Sequence, residues 1–336
     1  MRRTRRLRFG LAAGVALTLI AAGCGSDSKS SSDTTSAGSS GGSEEVRLAV
    51  NPWTGSAVNA NIAKAVIEKA GIGKVDLVDI DENAMWPAIA KGDTLDGVLE
   101  IWPSGHAKDY ETYITGKKGI VDGGLLGPDA KIGWYVPQFV VDEHPEFATW
   151  EGLKSQEAAD YFKTAETGDQ GQFLLGDPSY VSYDADIIKN LDLPFKVVVG
   201  GSEATLITQL DNALKDKTPL LFYFYNPQWK WADPAFADAV AQVELPEITQ
   251  ACTASAAEQG KDGKYACAYP PDKLYKAISA KLETKNPAAF DFLQKLKLTD
   301  ADQNSITSDK NTNDMTIDEA QKWVDENEST WQGWLK

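Results

Sequence analysis

Histidine occurs twice and cysteine three times in the 336 residues, and each scarcity narrows the available chemistry. Neither His106 nor His144 has a cysteine, a second histidine or a carboxylate at metal-ligand spacing, so no metal site is expected. No cysteine is placed for nucleophilic work. Neither a G-x-S-x-G elbow nor a G-x-x-x-x-G-K-[ST] phosphate loop occurs. The expectation is no catalytic residue, no cofactor and no enzyme. Beyond the N-terminal segment, no stretch approaches the ~20 apolar residues of a membrane span. Positive charge is also scarce. Against 49 acidic residues stand 33 Lys and Arg, and five of those are arginines among the first eight residues. Without them the balance is 28 − 49 = −21, which excludes nucleic acid and anionic lipid as natural partners.

Residues 1–23 carry those arginines, no acid, and an apolar run from Phe9 to Ala22, the pattern of an export signal. The run ends in LIAAGCGSDS, which resembles the lipobox of bacterial lipoproteins, although Ala21 stands where leucine is usual. The resemblance implies lipidation at Cys24. The alternative is cleavage near Gly23 and a soluble secreted protein. Residues 25–43 hold no large apolar side chain, so 24–45 is expected as a flexible tether to the outer face of the cell membrane. In an exported chain the remaining cysteines, Cys252 and Cys267, read as a disulfide closing a short loop, with two free buried thiols as the alternative.

The rest alternates short apolar strands with amphipathic helices. VRLAV (46–50), VDLVDI (75–80) and GVLEIW (97–102) read as strands, with a helix capped by Ser56 between the first two. A second unit follows: IGWYVPQFVV, a helix near 156–165, FKVVV (195–199), a helix capped by Ser202, and PLLFYFY (219–225). The C-terminal third reads as mostly helical, its last helix opening on Thr316 and Glu319 at capping-box spacing. Two such units imply an α/β protein of two lobes, each a mainly parallel sheet flanked by helices.

Aromatic residues are plentiful, and several stand beside turn residues at strand ends: Trp53, Trp102, Trp134, Tyr180 and Tyr225. Ligands of open α/β sheets bind where such loops gather. Clustered rings there can stack on sugars or surround a quaternary ammonium, whose lack of N–H donors leaves ring quadrupoles as its selective contact. Taken singly, a tryptophan such as Trp102 serves packing as readily as binding. Trp86, Trp323, Trp331 and Trp334 read as structural.

The segments VRLAVNPWTGSAVNANI, DENAMWPAIAKGDTLDGVLEIWPSGH, LFYFYNPQW and NPAAFDFLQKLKLTDADQNSI resemble the glycine betaine-binding proteins of ABC importers for osmoprotectants. The resemblance runs from about Val46 to Trp334. It implies the two-lobed periplasmic-binding-protein fold (type II) with its ligand in the inter-lobe cleft. Residues 46–136 with 243–336 would form one lobe and 137–242 the other. It assigns an ammonium cage to Trp102, Tyr180 and Tyr225, a cage rim to Trp53 and Trp134, and the ligand carboxylate to the backbone N–H groups of Val181 and Ser182. Glu100 and Asp177 are expected near the cage, where they would favour a pure cation such as choline. An ABC permease with separate ATPase subunits is the implied partner, and a monomer the implied state. A carbohydrate-binding or glycan-processing protein using the same rings is the alternative.

Overall fold

The computed structural model describes residues 45–256, 263–308 and 317–336. Cys24, the signal segment, the tether up to residue 44 and Thr316 lie outside the described residues. Nine strands form one mixed sheet: β1 (Val46–Val50), β2 (Val75–Asp79), β3 (Gly97–Ile101), β4 (Ile120–Pro137), β5 (Gly171–Leu175), β6 (Phe195–Val199), β7 (Leu221–Asn226), β8 (Val240–Gln242) and β9 (Asp272–Ser279). Their order is β2-β1-β3-β9-β4-β7-β5-β6, with β8 also on β4. Two parallel trios stand at the ends, β2-β1-β3 and β7-β5-β6, and antiparallel β9 and β4 join them.

β4 is the shared element. It pairs with β9 from Ile120 to Ala130 and with β7 from Lys131 to Tyr135, so it changes partner between adjacent residues. All five residues of β3 are buried, as expected of a parallel strand covered on both faces. Helix α1 (Thr54–Lys69) lies against β1, β2 and β3, and helix Ile317–Glu326 packs on α1. There Lys69 reaches Asp325 at 2.5 Å and lies over the Trp331 ring. Trp323, Trp331 and Trp334 are buried packing residues, and so is Trp86. The Cys252–Cys267 disulfide is formed.

Four strands were less legible than the others, among them β8, which is only three residues long. The first part of β4, IVDGGLLGPDAK, carries register shifts around Leu125 and positive φ at Gly124 (76°) and Gly127 (134°), which break the alternation of a regular strand. β5 is five residues long, and β9 hides behind its lysines. Of these, Lys276 is fully buried, its ammonium donating to the carbonyls of Leu293 (2.7 Å), Gln294 (2.9 Å) and Leu296 (2.5 Å) at the end of helix Pro287–Lys295. A charged residue thereby satisfies orphan helix carbonyls inside the core. The helix caps divide likewise. Ser202 Oγ accepts from Thr205 N–H as expected, but Ser56 lies inside α1, where its hydroxyl accepts from Asn51 N–H.

Lys276→Met, which keeps an apolar stem and removes the ammonium, is expected to lower the unfolding free energy by about 3 kcal/mol, because it strands buried carbonyls. The urea midpoint reads this, and an unchanged midpoint would mean the three acceptors are satisfied without the lysine.

Candidate functional site

The loops at the strand ends line a partly open cavity. Trp53, Trp102, Tyr180, Tyr223 and Tyr225 form its aromatic wall, and Glu82, Ser104, Gly105, Ile132 and Val181 complete the lining. The rings meet across the two halves of the sheet. Trp53 packs edge-on to Tyr180 with centroids 6.0 Å apart, and Trp102 edge-on to Tyr225 at 5.6 Å. Tyr223 links Tyr180 (5.8 Å) to Tyr225 (6.2 Å).

Local folding fixes each ring. Trp53 is the N-cap residue of α1, and Trp102 follows β3 as the N-cap of α3 (Pro103–Asp109). Tyr180 closes a turn in which Asp177 Oδ1 accepts from the Ser179 N–H and hydroxyl at 2.9 and 2.7 Å. Alternation along β7 sends Tyr223 and Tyr225 to the same face.

Two buried acids stand behind the rings. Glu100 Oε1 accepts from both indole N–H groups, Trp53 at 2.7 Å and Trp102 at 3.0 Å, while its Oε2 accepts from Asn59 (2.6 Å) and Gln303 (2.8 Å). Burial raises the Glu100 pKa to about 7 against the pull of the indole and amide donors. Gly55 leaves room for this pair, because a Cβ there would lie 2.2 Å from Gln303 Nε2 and 2.8 Å from Glu100 Oε2 and would displace both side chains. On the other side Glu203 accepts from Thr54 N–H (2.7 Å), the Thr54 hydroxyl (2.6 Å) and the Tyr225 hydroxyl. Burial raises the Glu203 pKa also. The start of α1 is thus capped by a side chain from a distant segment.

The structure brings together Trp53, Trp102, Tyr180, Tyr225 and Val181 from the residues singled out in the sequence. Trp134 stands apart: it is fully buried, packs on Phe173 with centroids 4.5 Å apart, and donates to Asp184 Oδ1 at 2.7 Å. Ser182 hydrogen-bonds Asp184 and does not line the cavity. Asp177 serves its turn, and Glu100 lies behind the indoles.

Sequence reasoning missed Tyr223 and Glu82. The LFYFY alternation held a signal for Tyr223, whereas Glu82 sits in a turn between β2 and helix α2 (Met85–Lys91) with none. Glu82 Oε1 accepts from Val181 N–H at 2.6 Å, and its Oε2 lies 2.7 Å from His106 Nε2. Burial opposes a charged imidazole at His106, but Asp109 and Glu82 carry its pKa to about 9. Elsewhere, ligand atoms of His144, Glu146 and Glu157 lie within 4.8 Å of one another, a grouping the sequence spacing did not suggest. Both glutamates are exposed there, and exposed acids gather in this way without a metal.

Comparison with known proteins gives a consistent result. The family described as "Substrate binding domain of ABC-type glycine betaine transport system" matches residues 44–326. A trimethylamine N-oxide-binding protein of Pelagibacter ubique (strain HTCC1062) is 26% identical over 293 residues, covering 84% of this chain and 88% of its own. Two solved structures share the fold. A lactococcal protein in a closed-liganded conformation with glycine betaine has TM-score 0.64 and 17% identity, over 87% of this chain and all of its own. A choline-binding protein of an ABC transporter, in complex with choline, has TM-score 0.65 and 16% identity, over 87% of this chain and 91% of its own. At such identities the likeness establishes the two-lobed α/β fold alone.

The raised pKa of Glu100 has a readable consequence. A folded-state value of about 7 against an ordinary 4.5 means the folded protein holds a proton that the unfolded chain has released. This contribution is fully present below pH 4.5 and is lost as the pH rises to about 7. Intrinsic tryptophan fluorescence is expected to show a transition centred near pH 7 that disappears in Glu100→Gln. A transition that survives in the variant would assign it to another group.

Proposed function

The chain belongs to the substrate-binding domains of ABC-type glycine betaine transport systems, and from that premise we propose that its cavity captures a trimethylammonium compound in an aromatic cage. The observation that carries the reading is the ring of Trp53, Trp102, Tyr180, Tyr223 and Tyr225, in which both indoles and the Tyr225 hydroxyl donate to buried acids, while no lysine or arginine is among the described residues that line the cavity. Such rings attract a methylated cation at about 0.5–2 kcal/mol each once water is excluded. Glycine betaine, choline and trimethylamine N-oxide, the ligands named for the relatives, share that headgroup. The family assignment leaves the sugar-stacking alternative without support.

The domain is read as a non-enzymatic, monomeric carrier. It would close on its ligand and dock on an ABC permease driven by separate ATPase subunits. The lobes are taken to meet where β4 changes partner, between Ala130 and Lys131, a few residues before the crossing suggested by the sequence. The return is taken near Asp272, where β9 begins. Lipidation at Cys24 would keep the protein at the outer membrane face.

Isothermal titration with glycine betaine, choline, trimethylamine N-oxide and simple sugars is the direct test. Heat with at least one trimethylammonium ligand and none with sugars is expected. Trp102→Ala is expected to weaken binding about tenfold or more, with circular dichroism melting run alongside to score packing separately. Sugar binding without ammonium binding would sink the reading. For the anchor, Cys24→Ala is expected to move the protein from the membrane fraction to the medium, and unchanged membrane association would remove lipidation at Cys24.

A further inference from the structure

Among the described residues, Glu82 is the only charged side chain in the cavity lining. It is buried, and both oxygens are engaged. Oε1 accepts from Val181 N–H at 2.6 Å across the cleft, and Oε2 meets His106 Nε2 at 2.7 Å. His106 is itself buried, held by Asp109 at its other ring nitrogen (3.2 Å) and by Trp86, whose ring centroid lies 5.5 Å away. The turn below is fixed as well, since Asp81 Oδ1 accepts from Asn83 N–H at 2.7 Å and Ala84 N–H at 3.2 Å. Glu82 is therefore anchored from its own side of the cleft independently of Val181.

This arrangement bears on what the cage can hold. The Val181 N–H, a donor that would suit a ligand carboxylate, already serves a carboxylate of the protein. Nearby, the Ser104 N–H and hydroxyl donate to Asp272 at 3.1 and 2.6 Å, so those donors are engaged too. The polar end of the cavity presents acceptors. A ligand carboxylate there would face Glu82 in a desolvated space, and like charges so placed cost several kcal/mol. A ligand hydroxyl would meet an acceptor in the orientation it needs.

Resting on the reading of the cavity as a trimethylammonium cage, we propose that Glu82 is a specificity-determining residue that selects trimethylammonium ligands without a carboxylate, whose single oxygen approaches it as an O–H donor. Choline carries that group as a hydroxyl. Trimethylamine N-oxide carries it only after its oxygen has taken a proton from solvent, so its binding at Glu82 would be accompanied by uptake of one proton. Glycine betaine carries the opposite charge at that end and is disfavoured.

The test is titration calorimetry on the purified protein with choline, trimethylamine N-oxide, glycine betaine and tetramethylammonium, at one pH and ionic strength. Wild type is compared with Glu82→Gln and Glu82→Ala. Tetramethylammonium has no oxygen and reports the cage alone. Wild type is expected to bind choline or trimethylamine N-oxide about tenfold or more tightly than glycine betaine. Which of the two is preferred identifies the donor. In both variants the ratio is expected to narrow by about tenfold, because the carboxylate charge is removed, and in Glu82→Ala the Val181 N–H also becomes available to betaine. Each ratio is taken within one protein, and the wild-type ratio stands even where a variant folds poorly. Equal or tighter binding of glycine betaine by wild type would overturn the proposal, as would an unchanged ratio in variants that still bind tetramethylammonium. Failure of folded wild type to bind any of the four would overturn the cage reading itself.

Discussion

The arrangement depends on a carboxylate in the wrong place for a strand. Glu100 lies within β3, all of whose residues are buried, and a bare charge there would be strongly disfavoured. Four N–H donors resolve the conflict, and each comes from a different part of the chain. Trp53 precedes α1, Asn59 lies inside it, Trp102 follows β3, and Gln303 comes from the C-terminal helix Asp300–Ser308. Satisfying one acid therefore fixes both indoles and seats the C-terminal segment. It also acts on the rings themselves. An indole that donates its N–H to a carboxylate is polarised toward a more negative face, the property that holds a cation.

Glu203 repeats the device from the opposite half. It is the first residue of helix Glu203–Asp216, yet its carboxylate serves the first residue of α1 and the hydroxyl of Tyr225. A side chain at the start of one helix caps the start of another across the cleft. Closure of the halves, capping of α1 and orientation of a cage ring are thereby one interaction. The acids around the cavity, Glu82, Glu100 and Glu203, are answered by N–H and O–H donors and by one imidazole, not by lysine or arginine.

Legibility followed the periodicity of the chain. β1, β2, β3, β6 and β7 were legible as short, mostly apolar runs broken by single charged residues such as Arg47, Glu100 and Lys196, and Trp102, Tyr180 and Tyr225 stood beside turns that the sequence displays openly. What stayed hidden did so for physical reasons. β9 carries Lys276, whose burial depends on three carbonyls that only tertiary folding assembles. The start of β4 is bent at glycines. Trp134 has the strand-end look of a ligand contact, but its neighbours Phe173 and Asp184 arrive from 39 and 50 residues away in sequence and bury it. Glu82 was invisible because one acid in a chain with 49 carries no signal until His106 and Val181 are brought to it.

Splitting the aromatic wall between the halves has an energetic consequence for the proposed cage. Trp53 and Trp102 come from segments beside β1 and β3, while Tyr180, Tyr223 and Tyr225 come from segments beside β5 and β7. On the proposed reading of the cavity, a trimethylammonium group would touch two or three rings at most with the halves apart. Drawn together, they would offer five, and two further contacts at about 0.5–2 kcal/mol each would be differential affinity of the kind that shifts a closing equilibrium. The seam at which this happens is stitched by Val181 N–H to Glu82, by Tyr183 Oη to the Ser104 carbonyl (2.9 Å), and by Thr54 to Glu203. A ligand end that repelled Glu82 would act on that seam directly. It would lose its own contact and oppose the closure that completes the cage, so selectivity and closure share one energetic origin.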